Sequence, residues 1–407
     1  MKVNQAFRYE LKPNIEQRIL LAKHAGAARF AYNWGLQQRI HLFETLEEKS
    51  RFPTSIEQHK VLNSLKASDF PWMYEVSKCA PQEALRDLDK AFKNFTTLRK
   101  KGKKIGFPKF KKKGVKDRFR LTGSIKVNTK TIQLPRIGLI RLKEHTGKFS
   151  GRILSATVSR EVDRWFVSLT VETEKFKPDL SHQREAVGID VGLTTFAALS
   201  DGTKIDAPKP LNRSLKRLKR LSKKHSRKVK CSQNRKKSAF QLARLHRRIK
   251  NQRRDFLHKT STQLAKTKSV IVIENLNIKG MLKNHSLARH IIDAGWGEFR
   301  RMLEYKGAWY GSLVELAPRF FASSKTCSCC GYVMAEMPLN IRSWTCPNCH
   351  TTHERDVNAA KNLLNLSTAS SAGINACEDS SNGTLVNPNV SYESQKQEAT
   401  SGRDICP

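Results

Sequence analysis

The sequence predicts a multidomain α/β protein, and three observations support that fold class. The chain has 407 residues, which is enough for two or three domains. Its hydrophobic pattern changes twice, from helical spacing to short alternating runs and then to buried strands interspersed with amphipathic helices. Near the carboxyl end, two Cys-x-x-Cys pairs have the spacing of a zinc ribbon.

The amino-terminal part predicts a strand followed by a helical domain. Residues 1–12 alternate apolar and polar side chains, which is typical of a strand. Apolar residues then recur at helical spacing, so residues 13–116 form one predicted helical domain. Its last part, 100–113, is basic and includes Phe107 and Phe110. These rings could stack on bases while the lysines meet phosphates, or they could fasten a solvated loop to the core.

Residues 117–180 predict an antiparallel β structure. Short alternating runs such as TIQLP and WFVSLTVETE are separated by turn residues, a pattern that favours a barrel or a sandwich. We assign a β-barrel and place residues 1–12 in it as the first strand. The segment from Lys175 to Arg184 has little apolar content and indicates a linker.

Residues 183–320 predict buried strands with helices between them. The runs AVGID and SVIVIE are apolar up to the carboxylates of Asp190 and Glu274, and a hairpin turn is indicated at Asp201-Gly202. A narrow leucine stripe in residues 212–268 predicts a helical hairpin whose other faces are almost wholly basic.

Residues 321–352 predict the zinc ribbon, because each knuckle places two sulfurs on one side of a tight turn. The expected ligands are Cys327, Cys330, Cys346 and Cys349. Four thiolates close the coordination shell, so one structural Zn²⁺ is expected. Cys329 offers a competing thiolate, and His350 and His353 are expected to stay outside the shell.

The carboxyl end predicts one more helix and a tail. Residues 353–366 follow the ribbon with helical spacing. From 367 to 407 the chain is rich in Ser, Thr, Asn and Gly and acidic residues outnumber basic ones, which predicts disorder.

The charge of the chain predicts a polyanionic partner. It has 76 Lys and Arg against 36 Asp and Glu, a formal net charge of +40. Phosphate neutralisation makes nucleic acid the expected partner. No apolar run approaches the roughly 20 residues of a membrane-spanning helix, so no membrane partner is expected. The first residues lack the apolar core of a signal peptide, which favours a reducing, cytoplasmic location.

Three carboxylates are candidates for a metal-dependent active site. Asp190 lies within one buried strand, Glu274 ends another, and Asp356 opens the closing helix. An unpaired carboxylate in a buried strand is costly unless a cation compensates it, and hard oxygen ligands suit Mg²⁺. Each acid also has a structural alternative: Asp190 could cap a turn, Glu274 could cap the next helix, and Asp356 could face its own helix dipole.

The motifs around these residues resemble the TnpB family of insertion-sequence proteins, also called OrfB, which is similar to the compact type V CRISPR effectors. The resemblance covers roughly residues 1–366. It is carried by Gly188-Ile-Asp190-Val-Gly192, Ile273-Glu274-Asn-Leu276, Asp293-Ala-Gly-Trp296, Ser323-Ser-Lys-Thr-Cys327-x-x-Cys330-Gly331, Trp344-Thr-Cys346-Pro-x-Cys349 and Arg355-Asp356-x-Asn358-Ala-Ala.

This resemblance implies an RNA-guided DNA endonuclease with a split RuvC nuclease domain of RNase H type. It implies Mg²⁺, as two ions, at Asp190, Glu274 and Asp356, and zinc at the four knuckle cysteines. The implied partners are a guide RNA from the transposon right end and double-stranded target DNA beside a short motif. We expect a monomer in complex with RNA, in the prokaryotic cytoplasm near the nucleoid. Expected nucleic-acid contacts are Lys78, Gln82, Lys109 and Lys111.

Two other functions compete with the nuclease. A protein that binds RNA and DNA without cutting would keep the basic surfaces, but the intact acids argue against it. A transposase that joins DNA ends also uses three acids, but a zinc loop placed directly before Asp356 favours the nuclease.

Overall fold

The computed structural model describes residues 2–45, 52–147, 150–174, 184–338 and 340–375. The α-helices are α1 Ile15–Thr45, α2 Ser55–Ser64, α3 Cys79–Lys100, α4 Pro210–Ser226, α5 Gln233–Thr267, α6 Ile278–Met281, α7 His285–Ala294, α8 Trp296–Tyr310 and α9 Arg355–Asn375. A 3-10 turn spans Pro71–Glu75. The strands are β1 Lys2–Lys12, β2 Arg118–Leu121, β3 Lys126–Val127, β4 Thr131–Leu134, β5 Gly138–Leu142, β6 Arg152–Glu161, β7 Arg164–Glu174, β8 Val187–Val191, β9 Thr195–Leu199, β10 Lys204–Asp206, β11 Val270–Ile273, β12 Leu313–Leu316, β13 Ser343–Thr345 and β14 Thr352–Glu354.

The first seven strands form one antiparallel sheet in the order β2-β6-β7-β1-β5-β4-β3. The first strand belongs to this sheet, as expected, although its central position was not predicted, and it pairs with β7 from Lys2↔Glu174 to Leu11↔Trp165. Within the described ranges the edge strands β2 and β3 do not pair with each other, so the predicted closed barrel is wrong. The reason is that helices, rather than the sheet's own strands, complete its core.

Helices α1 and α3 share that core with the sheet. Leu21 of α1, Leu85 of α3 and Val167 of β7 belong to one buried cluster. Gly35 allows the two helices to approach, since a Cβ there would lie 2.7 Å from a methyl of Leu85. The predicted helical domain and β domain are therefore packed around a common core.

Five strands form a second, mixed sheet in the order β10-β9-β8-β11-β12. Strand β8 pairs antiparallel with β9 and parallel with β11, and β11 pairs parallel with β12. Because side chains alternate along a strand, Ile271 and Ile273 pack with α5 and α8 on one face, while Val272 packs with α9 on the other. The expected hairpin at Asp201-Gly202 joins β9 to β10.

The predicted basic helical hairpin is present as α4 and α5. Asp293 fastens it to the rest of the chain, because its carboxylate accepts hydrogen bonds from the backbone N–H groups of Leu211 and Asn212 at the start of α4. The Arg253 side chain on α5 donates to the same carboxylate at 3.1 Å. One buried acid thus holds both helices.

The closing helix is longer than the sequence predicts. It runs to Asn375, nine residues beyond the predicted end at 366, and the disorder expected from residue 367 stays a prediction. The later part of the predicted tail and most of the predicted linker, 175–183, lie outside the described residues. Among the helices that the structure describes, none has the length and apolar character needed to cross a membrane.

Candidate active site and cysteine cluster

Asp190 and Glu274 lie side by side at the carboxyl ends of adjacent strands. Strands β8 and β11 are parallel with Ile189 opposite Ile273, and the acid is the next residue after each of these two isoleucines. Neighbouring strands are about 4.8 Å apart, and both acids occupy the face that α9 covers, because Gly188 and Val272 two residues earlier point to that helix. Strand register alone therefore pairs the two carboxylates.

Asp356 reaches the same place through the packing of α9 on β8. A Cβ at Gly188 would lie 1.9 Å from the Ala360 carbonyl oxygen, so this strand and helix touch along their backbones. From that contact, Asp190 is two residues along the strand, about 6.6 Å, and Asp356 is four residues back along the helix, about 6 Å. The negative charge of Asp356 acts on Asp190, which places the start of α9 near the carboxyl end of β8.

The electrostatics show that the three acids interact. Burial raises the pKa of Asp190 well above its ordinary value, and the negative charges of Glu274 and Asp356 raise it further, against the opposing effect of Arg355 and Arg342. Burial also raises the pKa of Glu274, which a hydrogen bond from Ser323 partly offsets. A bound cation would relieve this repulsion.

Of the structural alternatives for the acids, one is wrong and one applies. Glu274 does not cap α6, since Asn277 is the N-cap and its side chain accepts from Gly280 N. Asp356 does lie in the first turn of α9, where a negative charge is favoured. Arg342 contacts it at 3.6 Å.

The four predicted cysteines form a compact cluster that could bind zinc. The Sγ atoms of Cys327, Cys330, Cys346 and Cys349 all lie within 4.8 Å of one another. Two of the separations are 3.6 Å, close to the edge of about 3.8 Å in a tetrahedron with Zn–S bonds of 2.3 Å.

The other candidate ligands stay outside this cluster. Cys329 is exposed. His353 Nε2 contacts only one member, Cys327 Sγ at 3.0 Å, which suits an N–H group that stabilises a thiolate. Strands β13 and β14 pair beside the cluster, with Trp344 opposite His353.

A buried hydrogen-bond network joins the cysteine cluster to the acids. Ser323 donates to Glu274 Oε1 at 3.0 Å. From α9, Asn358 accepts from Ser328 N at 2.9 Å and donates to Thr326 O at 2.7 Å, while Asn362 donates to Ser323 O at 2.8 Å. The loop that opens the first knuckle is thus fixed to Glu274 on one side and to the helix of Asp356 on the other.

Comparisons with known proteins identify the family of this chain. Three family models match: a "Helix-turn-helix domain" of OrfB over residues 1–49, the OrfB "Probable transposase" over 166–285, and the "Cas12f1-like, TNB domain" over 296–363. A Streptomyces pristinaespiralis protein named "Putative RNA-guided DNA endonuclease" is 37% identical, covering 98% of each chain. The chain belongs to the TnpB family.

Another relative and a solved structure also match over most of the chain. "Putative RNA-guided DNA endonuclease InsQ" of Escherichia coli K12 is 33% identical over 89% of this chain and 92% of its own. A similar fold occurs in a Cas12f1–sgRNA–target DNA complex, with a TM-score of 0.53 at 13% identity, covering 89% of this chain and 99% of that one.

The sequence did not predict the residues of this network, although the TnpB-like motifs contain a signal for them. Ser323 and Asn358 stand in the quoted motifs with no role assigned, and Asn362 is one helical turn beyond Asn358. Arg300 was also missed. It lines a cavity of about 350 Å³ beside Glu274 and donates to Asn275 Oδ1 at 2.9 Å.

The predicted nucleic-acid residues differ in how accessible they are. Lys78 is exposed at the N-cap of α3, and Gln82 is one turn further. Lys109 is exposed as well. Lys111 instead packs inward, with its ammonium 3.7 Å from the centroid of the Tyr32 ring, and burial lowers its pKa to about 8. Its position is that of a packing residue between α1 and the basic stretch.

The two aromatic residues of the basic stretch also differ. Phe107 contacts Phe92 and Phe95 edge-on, with 5.4 Å between the ring centroids in each pair. The interpretation of a loop fastened to the core therefore applies to Phe107. Phe110 is 46% exposed and remains a predicted stacking residue.

Proposed function

We propose that this chain is an RNA-guided DNA endonuclease that cleaves double-stranded DNA beside a short target-adjacent motif. The observation that supports this most strongly is the pairing of Asp190 and Glu274 at two strand ends, with Asp356 facing them from α9. Such a mixed sheet with acids at one edge suits a RuvC nuclease of RNase H type. The names of the TnpB-family relatives support the same reaction.

The three acids are proposed ligands for Mg²⁺. The raised pKa values of Asp190 and Glu274, and the negative charges of Glu274 and Asp356 acting on Asp190, fit a site made for divalent cations. Bound as a pair, Mg²⁺ ions supply an activated water and stabilise the leaving oxygen of a phosphodiester. The chain itself orients the ligands: strand register sets Asp190 beside Glu274, and Ser323 fixes the rotamer of Glu274.

The cysteine cluster is the proposed site of a structural Zn²⁺. All four ligands are thiolates, so no coordination position is left for a reacting water. Through Asn358 and Asn362, the cluster would hold the start of α9 and with it Asp356. Its contribution to cleavage is therefore positional.

The proposed partners are a guide RNA from the transposon right end and duplex target DNA. The net charge of +40 provides the electrostatic attraction. Base pairing with the guide would select the sequence while cations hold the heteroduplex by its backbone. Lys78 and Gln82 are proposed to read the target-adjacent motif, and Lys109 to contact phosphate.

The experiment that tests this function begins with the RNA that copurifies with the protein. We would sequence that RNA and incubate the complex, with Mg²⁺, with plasmids carrying a matching target next to randomised bases. Cleavage should occur beside one short motif. Asp190→Ala and Glu274→Ala should lose cleavage by about 10³-fold or more but keep guided binding, because several kcal/mol of charge stabilisation is removed.

Other outcomes would point to the competing functions. Guided binding without any cleavage by the unaltered protein would indicate a silent binder. Joined DNA ends in place of free ends would indicate a transposase. Cleavage retained by both acid variants would remove the catalytic assignment.

A further inference from the structure

A basic groove lies between α5 and the seven-stranded sheet, and Phe240 is at its centre. Phe240 is 41% exposed and borders two adjoining cavities of about 820 and 470 Å³. The buried face of α5, with Leu245 and Ile249, lies elsewhere on the helix. Single exposed apolar residues are common, so exposure alone gives no function. The charged residues around Phe240 indicate what it could bind.

Most of the charged residues that line the two cavities with Phe240 are basic. On α5, Lys236 is one turn before it and Arg244 one turn after it, which places them on neighbouring parts of the helix surface. Arg160 of β6 borders both cavities. The other basic residues along the two cavities are Lys116, Arg118, His246, Arg247 and Lys250 in the first and Arg18 and Lys237 in the second.

The acids of the groove are already neutralised by ion pairs. Asp163 contacts Arg244 at 2.8 Å and Arg247 at 3.0 Å, and Glu161 contacts Arg8 at 3.0 Å and Lys250 at 3.3 Å. Asp117, the third acid, contacts Arg29 at 3.4 Å. Partial burial opposes ionisation of Asp163 and Glu161, but these cations hold the pKa of each below its ordinary value. The exposed lysines therefore present positive charge to an outside anion.

The same ion pairs hold the groove open in one shape. Asp163 and Glu161 are at the β6–β7 turn, and their partners are on α5, so the turn and the helix are joined directly. Val162 in this turn has φ 61°, a value that β-branched residues rarely adopt, which indicates that the turn geometry is imposed by its surroundings. A preformed groove loses less entropy when it binds a partner.

We propose that Phe240 stacks on an unpaired base of the bound RNA, with Lys236 and Lys237 at the flanking phosphates. An aromatic face among cations is the general means of binding single strands. This proposal rests on the proposed function and names one contact of the guide RNA.

Position along α5 favours RNA over the DNA strand that is cut. Phe256, 16 residues further along the helix, contacts Phe196 of the five-stranded sheet that carries Asp190, with 4.9 Å between the ring centroids. At 1.5 Å per residue, Phe240 lies about 24 Å from that core. A strand being cut must reach the acids, whereas bound RNA can be held at a distance, and RNA is recognised chiefly through unpaired, stacked bases.

A crosslinking experiment on the full chain tests the proposal. The protein would be co-expressed with its RNA in cells fed 4-thiouridine, irradiated, digested and analysed by mass spectrometry. A nucleotide adduct should map to the peptide that contains Phe240. A parallel sample with unlabelled RNA and target DNA containing 4-thiothymidine should give no adduct there. An adduct with DNA alone, or none on this peptide while other peptides are labelled, overturns the proposal.

Affinity provides a second measurement. Phe240→Ala should weaken binding of the copurifying RNA, re-added to RNA-free protein, by about 5- to 150-fold, and Phe240→Trp should restore it. The salt dependence should stay unchanged, because no phosphate contact is lost. Leu287→Ala on α7, also at 41% exposure, is the matched control and should bind normally. Equal affinity of Phe240→Ala and unaltered protein contradicts the stacking.

Guided cleavage by the unaltered complex, measured in parallel, separates the two proposals. Cleavage together with an unlabelled Phe240 peptide removes the stacking contact and leaves the nuclease intact. A labelled Phe240 peptide without cleavage supports the stacking contact and removes the proposed nuclease activity.

Discussion

The cysteine cluster and the acid cluster are neighbours in the structure, but the chain assembles them in different ways. The four cysteines come from two short knuckles between residues 327 and 349, and each knuckle sets its own pair of sulfurs. The acids, Asp190, Glu274 and Asp356, come from two strands and a helix far apart in the chain. The first cluster depends on local spacing, and the second depends on register and packing.

The position of the acids should therefore depend on the cysteine cluster, whereas the cysteine cluster should not depend on the acids. The loop from Ser323 to Ser328 and the side chains of Asn358 and Asn362 tie the knuckles to α9. Loss of the cysteines should disturb the acids, whereas loss of an acid should leave the cysteines in place. Four substitutions test this asymmetry.

The largest effect is expected from Cys346→Ser, because the Cys346 side chain is fully buried in the cluster. Zinc content should fall from one ion per chain to none, and cleavage should fall by about 10²-fold or more as Asp356 is displaced. Elemental analysis and a cleavage assay measure both. Cys329→Ser, at the exposed cysteine of the same knuckle, is the control and should keep zinc and activity. A zinc-free, fully active Cys346→Ser protein would contradict the positional role.

Gly188→Ala should break the acid cluster while sparing the cysteines. Its Cβ would lie 1.9 Å from Ala360 O and 2.8 Å from Leu364 N, so α9 must move away from β8. We expect a loss of about 1–3 kcal/mol in stability and of about 10²-fold in cleavage, with zinc retained. Thermal unfolding and elemental analysis provide the readouts. Gly106→Ala is the control, because a Cβ at Gly106 meets no atom within 4 Å, and it should change neither stability nor cleavage. An active, stable Gly188→Ala protein would show that the contact between β8 and α9 is unimportant.

Asp190→Asn should stabilise the protein when Mg²⁺ is absent and zinc is present. Since folding raises the pKa of Asp190, the ionised carboxylate opposes folding above that pKa. The substitution should raise Tm at pH 8, and the gain should shrink as pH falls through the raised pKa, where the native carboxyl is protonated. Asp206→Asn on the exposed edge strand β10 is the control. A lower Tm for Asp190→Asn at pH 8 would mean that the acids do not repel one another.

The smallest effect is expected from Ser323→Ala, which removes one hydrogen bond to Glu274. One such bond contributes about 1 kcal/mol, so cleavage should fall about 5-fold. The pKa of Glu274 should rise further, because the bond from Ser323 lowers it, and the acidic limb of the pH–rate profile should move to higher pH. Ser286→Ala at the exposed start of α7 is the control. An unshifted profile would indicate that Glu274 is positioned by other groups.

Particular elements show how far the sequence could be interpreted. Alternation predicted β1 and β7, and helical spacing predicted α1, α3 and the basic hairpin, because each pattern repeats over many residues. β2 and α2 were not predicted, since RFRL and SIEQHKVLNS carry too few apolar residues to show a period. Closure of the barrel was predicted wrongly because edge pairing leaves no local signal.

The candidate site was predicted in its members but not in its connections. Lys111 was expected on the surface, yet its ammonium is over Tyr32, a contact that joins residues far apart in the chain. The sequence did not predict a role for Phe240, because its groove forms only where α5 meets the β6–β7 turn. Contacts of this kind depend on tertiary packing.

The sequence by itself determined the cysteine tetrad and the strand ends that carry Asp190 and Glu274, because short spacings and apolar runs act within one segment. Only the tertiary structure decided that β8 and β11 are neighbours in register, that Gly188 admits α9, and that the buried amides connect the loop of the first knuckle to the acids. The physical reason is that strand pairing and backbone contact join distant segments, and their energies depend on the whole core.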